Sequence, residues 1–291
     1  MSNQIVIPRP ENFSFVHAVN GHGWSDLLPF EYDDAQAKLH YVYRSSQSGK
    51  PNSVIISEAG VTLKIETRTK GNGNEAIRNV RHVLRLDEDL DDFYSTIASH
   101  EMLSWVQKSQ AGRLLRSHCV FEDLVKTMCT TNCSWALTKN MTTNLVEKIG
   151  EPADNGRHAF PTPQSMAGLP ESFYRDEIRA GYRSPYFVEL AEAVAGGRLD
   201  PESWLLSDLP TEELKKEIKK VKGIGDYAAE NMLKLLGRYD GLALDSWLRA
   251  GFYKKYNREK VCSDKKIEKH YKQFGKWKGL AMWCDMTGDR S

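Results

Sequence analysis

The sequence predicts an α+β fold. An N-terminal antiparallel-sheet domain spans residues 1–100, and an all-helical body in two lobes, about 101–210 and 211–291, follows it. Three observations predict this. Apolar and polar residues alternate with a period of two only in the first seventy residues; helical periods dominate after about residue 100; and Pro and Gly cluster at 152–163 and 168–170, between helical segments. A chain of 291 residues suits two domains of roughly 100–200 residues each and is long enough to bury a real core.

The elements follow in order. Leu39, Tyr41 and Tyr43 alternate with His40, Val42 and Arg44, which predicts a half-buried strand. Ser53–Ser57 is a short apolar strand between breaks rich in Gly, Pro and Asn, and Val61, Leu63 and Ile65 alternate with Thr62, Lys64 and Glu66 as a third. From Asn74 to Leu86, Ile77, Val80 and Leu84 share one helical face. The acidic run Asp87-Glu88-Asp89 with Asp91-Asp92 opens another short helix, where negative charge favours the N-terminal end of the dipole. Later helical periods run through Phe121–Cys129, Trp135–Ile149, Tyr186–Gly196 and Glu212–Val221.

Composition excludes several classes. Seven Trp, twelve Tyr and ten Phe are too many for a disordered chain. No apolar run approaches the ~18 residues of a membrane helix, and Met1-Ser2-Asn3-Gln4 begins no secretory signal, so a cytoplasmic protein is expected. The five cysteines are odd in number and form no CxxC; only Cys129 and Cys133 lie close. They read as reduced thiols rather than a metal or iron–sulfur site, and no metal or cofactor is expected. Charge is divided along the chain: residues 211–291 carry 19 Lys and Arg against 12 Asp and Glu, a net +7, leaving −6 for the rest. One basic third suits a polyanion, although lysine-rich helices are equally often solvated faces.

The informative segment runs from Leu214 to Ala229. An amphipathic helix enters Gly223-Ile224-Gly225, and a second helix starts at once. Two glycines around one apolar residue allow a tight reversal in which Ile224 tucks inward and backbone N–H groups stay exposed. Such groups at a helix start bind anions, and a nucleic-acid phosphate fits there with Lys222 beside it. An ordinary αα-hairpin with Gly at its turn is the plainer alternative. An apolar stretch, Gly241-Leu242-Ala243-Leu244, then leads to Asp245, by itself a good helix N-cap.

Hairpin, loop and aspartate together resemble the helix-hairpin-helix (HhH-GPD) DNA glycosylase superfamily. Leu114-Leu115-Arg116, Phe121–Val125 with Cys129–Asn132, Phe160–Pro163, Gly181-Tyr182-Arg183 and Trp277–Trp283 are similar to its 8-oxoguanine and 3-methyladenine glycosylase branch. The resemblance implies double-stranded DNA with a modified base as partner, a monomer, and a place alongside DNA in the cytoplasm, nucleoid or nucleus. It implies that Asp245 stabilises the oxocarbenium character of the sugar and orients water as the N-glycosidic bond breaks. Lys222, Gly223, Ile224 and Gly225 would hold phosphate. Bifunctional relatives carry a Schiff-base lysine two residues past the second hairpin glycine; Tyr227 stands there, which implies a monofunctional enzyme.

Base flipping leaves a gap in the duplex. By the same resemblance Asn132 fills it and Tyr182 wedges near the opposite strand with Arg183 beside it; a loop-capping Asn and a core Tyr are the alternatives. In the base pocket, Gly279 replaces the glutamine that reads the purine edge. Asn231 replaces a cysteine, Trp247 a histidine, and Trp283 a stacking phenylalanine. Large aromatic faces and the room left by Gly279 point away from strict 8-oxoguanine reading, towards alkylated, oxidised or bulky modified bases, for repair or for attack on modified foreign DNA. Plain core packing of Trp247 and Trp283 beside Leu248 and Leu280 is the alternative. A non-catalytic DNA-binding module is the competing function, and it has no need of Asp245.

Overall fold

The computed structural model describes residues 3–68 and 73–288. Strands β1 (Asn3–Pro8), β2 (Glu31–Asp33), β3 (Lys38–Arg44), β4 (Pro51–Ala59) and β5 (Thr62–Thr67) form one antiparallel sheet in the order β1-β5-β4-β3-β2. Period-two alternation sets its register. Leu39 pairs with Ile56 and Ile56 with Ile65, so three buried apolar side chains line up on one face. Lys38, Ser57 and Lys64 line up on the other.

Three details depart from the alternation. Val61 lies in the β4–β5 turn, 77% exposed, and β5 begins one residue later. Val42, expected on the wet face, is buried because Ala153 and Ala159 pack with it. The strands β1 and β2 were not legible in the pattern: β1 buries only Ile7, and β2 has three residues.

Ten α-helices of seven residues or more follow among the described residues. The first five are α1 (Asn74–Val83), α2 (Asp91–Ile97), α3 (Val120–Thr130), α4 (Trp135–Ile149) and α5 (Ser184–Ala195). After them come α6 (Thr211–Ile218), α7 (Asp226–Leu235), α8 (Ser246–Tyr256), α9 (Asp264–Tyr271) and α10 (Lys278–Thr287). No helix among the described residues is long and apolar enough to cross a membrane.

The chain divides into two compact units, Met1–Glu88 with Arg113–Leu206, and Asp89–Gly112 with Ser207–Ser291. Residue 100, the expected domain boundary, lies inside the second unit. Aromatic contacts explain why: the Phe93 ring sits 5.4 Å from that of Trp277, and His100 sits 4.5 Å from Phe274. The Trp277 indole N–H also donates to Asp92 at 2.7 Å.

In the first unit, α3 departs from the one-sided face that its sequence suggested. Residues 120–129 are all buried, Glu122, Asp123 and Lys126 included, so the helix is central rather than peripheral. Its charges are met internally. Lys126 Nζ lies 2.6 Å from Glu122, and His118 Nδ1 lies 3.1 Å from the other oxygen of that carboxylate. The Glu202 carboxylate accepts from the first two amides of the helix, Val120 and Phe121, both at 3.0 Å.

Candidate active site

In the second unit α6 buries Leu214 and Ile218, and the chain then turns through Gly223, whose φ of +88° suits glycine. Ile224 is 5% exposed and its amide donates to Val221, which closes the turn. Gly225, exposed, is the N-cap of α7 and supplies no side chain to the first amides of that helix. Lys222 is exposed beside it. Gly225 and Asp226 therefore lie exposed at the start of α7, while Ile224 is tucked inward. Asp226, the first residue of α7, adds a negative charge there, with Lys219 at 2.9 Å and Lys215 at 3.4 Å around it. The Lys219 hydrogen bond, foremost among these contacts, holds the Asp226 carboxyl below the usual range.

Between α7 and α8 the chain is tied down from two sides. Glu230 accepts from the Ala243 amide at 2.6 Å while its other oxygen meets Lys215 at 2.5 Å. The Gly279 amide donates to Tyr239 O at 2.7 Å. A Cβ at position 279 would fall 2.0 Å from Gly241 O and 2.7 Å from Tyr239 O. This corrects the pocket reading of Gly279: it opens no space for a base, because the loop backbone already fills that space. Its smallness lets the loop that leads to Asp245 approach α10.

Asp245 is half-buried with extended backbone, and its Oδ1 accepts from the Leu248 amide at 2.6 Å, capping α8. The cap engages one of two carboxylate oxygens. Arg249 fixes the same corner, donating to Leu244 O at 3.1 Å and to Asp264 twice at 2.8 Å. Trp247 is 48% exposed, and its ring lies 6.3 Å from that of the half-buried Trp283. Tyr227 is half-buried and Asn231 buried on α7.

Sequence reasoning missed two residues here. Lys234 is fully buried with Nζ 4.8 Å from the centre of the Trp283 ring. Burial, the largest influence, pulls its ammonium down to about 8, although Asp245 and Glu230 act in the opposite direction. Helical spacing was the available signal: Lys234 falls seven residues after Tyr227 and three after Asn231, on one face of α7. Glu230, the loop anchor, lies on that face too and carried no motif.

In the first unit the structure brings together Asn132, Tyr182 and Arg183, fifty residues apart in sequence. Asn132 is exposed with φ +47°, and its side-chain amide donates to the Tyr182 hydroxyl at 3.3 Å. Tyr182 is 51% exposed. Arg183 is different: 6% exposed, it donates to Thr131 Oγ1 at 3.2 Å and to Thr131 O, and its guanidinium stacks 4.5 Å from the Tyr182 ring. It supports the tyrosine and the loop from behind instead of presenting itself as a wedge.

All five cysteines are free thiols. Cys119 lies within ligand distance of His118 and Glu122, but Lys126 already places an ammonium on that carboxylate.

No protein-family model matches the chain. A Bacillus subtilis (strain 168) protein provisionally named a DNA-3-methyladenine glycosylase, YfjP, is 22% identical over 218 residues, 73% of this chain and 74% of its own. The 3-methyladenine DNA-glycosylase from Archaeoglobus fulgidus superposes with a TM-score of 0.79 over 98% of both chains at 19% identity. The Clostridium acetobutylicum 8-oxoguanine glycosylase/lyase, in complex with double-stranded DNA containing cytosine opposite 8-oxoguanine, does so with a TM-score of 0.74 at 20% identity, over 98% of this chain and 96% of its own. Over nearly its whole length the chain thus has the fold of the helix-hairpin-helix DNA glycosylases, the superfamily that its hairpin and following aspartate resemble.

Proposed function

We propose that the protein is a monofunctional DNA glycosylase, a monomer acting on double-stranded DNA that carries a modified base and leaving an abasic site. The observation that carries this reading is Asp245. A half-buried carboxylate follows the hairpin, held by one oxygen at a helix start and electrostatically coupled to a buried cation, with two tryptophans in the same unit.

The steps follow from the residues. Amides of Gly223 and Gly225, with Lys222, hold a phosphate without sequence preference, while the Ile224 amide closes the turn onto Val221. Asn132 and Tyr182, exposed and hydrogen-bonded to each other, take the space that a flipped nucleotide vacates, which costs a few kcal/mol of stacking and pairing. Asp245 stabilises positive charge as it develops on the sugar and orients water towards it, while the base leaves from the Trp247–Trp283 side. Tyr227 offers no amine to the sugar, and Lys234, on the same helix face, is fully buried. These two facts support hydrolysis without strand cleavage.

A non-catalytic module would keep the cap and the hairpin but release no base. Labelled duplexes with alkylated, oxidised or bulky modified bases, scored by alkaline cleavage, separate the two. We expect release by wild-type protein, a loss of roughly 100-fold or more in Asp245→Asn with DNA binding retained, and no covalent adduct on borohydride treatment. Undiminished release by the variant would remove the mechanism, and a trapped adduct would remove the monofunctional assignment.

A further inference from the structure

Trp283 is not an isolated stacking surface. Lys234 Nζ lies 4.8 Å from its ring centre, within the ~6 Å over which a cation interacts with a π-face. The ammonium belongs to α7 and the ring to α10, and the segment between α7 and α8 is tied to both helices, by Glu230 of α7 and by the close approach at Gly279 of α10. The titratable groups acting on Lys234 include Asp245 at the start of α8, Glu230 on its own helix and the Cys284 thiol on α10. Burial pushes that thiol up to about 12, so it stays neutral near pH 7. Glu230 is engaged with Lys215. Asp245 therefore moderates the cation without removing it.

We propose that Lys234 is a specificity-determining residue: its ammonium biases the Trp283 pocket against cationic, N-alkylated purines and towards neutral modified bases. The inference rests on the glycosylase reading and on Trp283 as the ring that a flipped base meets. A ring that already faces one cation has less attraction left for a second, and the two charges repel through a water-poor interior. A purine in van der Waals contact with the opposite face places its charge about 8 Å from Nζ. At an effective dielectric of about 20, repulsion of unit charges at that separation corresponds to roughly 30-fold in rate or affinity, and Asp245, acting in the opposite direction, reduces it. A neutral base meets no such penalty.

The test compares release of 7-methylguanine, a cation in the nucleotide, with release of neutral 1,N6-ethenoadenine and 8-oxoguanine from otherwise identical duplexes. In Lys234→Met, which keeps the length of the side chain and removes its charge, the cation-to-neutral release ratio at pH 6, where both 7-methylguanine and Lys234 are charged, rises about 10-fold over wild type. Lys234→Gln, a second neutral replacement, gives a rise of similar size, and whichever variant folds decides. Base release with a ratio unmoved in a folded neutral variant overturns the role of Lys234 and leaves the glycosylase reading standing. Release of no base from any of these duplexes by wild-type protein overturns both.

Discussion

Each of the two units buries a lysine completely, Lys126 in the first and Lys234 in the second, and the two are held in different ways. Lys126 sits on α3 one turn after Glu122 and meets its carboxylate at 2.6 Å, with the Phe30 and Phe160 rings 4.7 and 5.8 Å away. Burial works to raise the Glu122 carboxyl, but Lys126 and then His118 outweigh it and hold it below its usual range. Lys234 lies against a tryptophan face, and there burial prevails over the acids that act on it. A carboxylate at contact distance makes a buried cation part of the framework. An aromatic face, with burial outweighing the pull of Asp245 and Glu230, brings it within reach of titration near physiological pH, and such groups concentrate at functional sites.

The comparison can be broken most readily at Glu122. Replacing it with Ala leaves the buried Lys126 and the half-buried His118 without their shared acid, and we expect a loss of about 3–5 kcal/mol in urea unfolding, largely recovered by the double variant E122L/K126M. A loss below about 1 kcal/mol would mean that the pair does not hold α3. The next effect concerns Lys234 and depends on pH. Its pKa is depressed from 10.5 to about 8 on folding, so the unfolded chain binds the proton more tightly. Wild type therefore carries a penalty below pH 8, roughly 3 kcal/mol, which is relieved as pH rises from 8 to 10.5. Relative to K234M, the wild-type protein gains stability across that window; parallel curves would show that burial does not strain this lysine. The smallest effect belongs to the cap. Asp245→Ala loses about 1 kcal/mol, whereas Asp245→Asn, which still accepts from Leu248, stays within about 0.5 kcal/mol by thermal unfolding. A stable Asn variant without base release separates the chemistry from the cap.

Legibility followed physical simplicity. Strands β3 to β5 alternate because one face of the sheet is dry, and Leu39, Ile56 and Ile65 recorded that in the sequence. β1 escaped notice because Val6 is exposed and only Ile7 is buried at that edge. α3 was readable as a helix but not as a central one, since burial of Glu122 and Lys126 requires partners that only the fold supplies. At the site, the hairpin and Asp245 were legible because turn chemistry and capping are local. The meeting of Asn132 with Tyr182 was reached only through resemblance. Gly279 was misread and Lys234 unseen for one reason: each depends on a neighbour from another element, the 239–241 backbone in one case and the Trp283 ring in the other.

The close approach at Gly279 also limits where this chain can go by mutation. A glutamine there, the residue associated with reading a purine edge, would first collide with the carbonyls of Tyr239 and Gly241 and displace the segment that delivers Asp245. New base recognition at that position would therefore arrive together with a disturbed acid. A lineage seeking it would have to remodel the segment beforehand, while changes at Lys234 or Trp247 leave that backbone untouched.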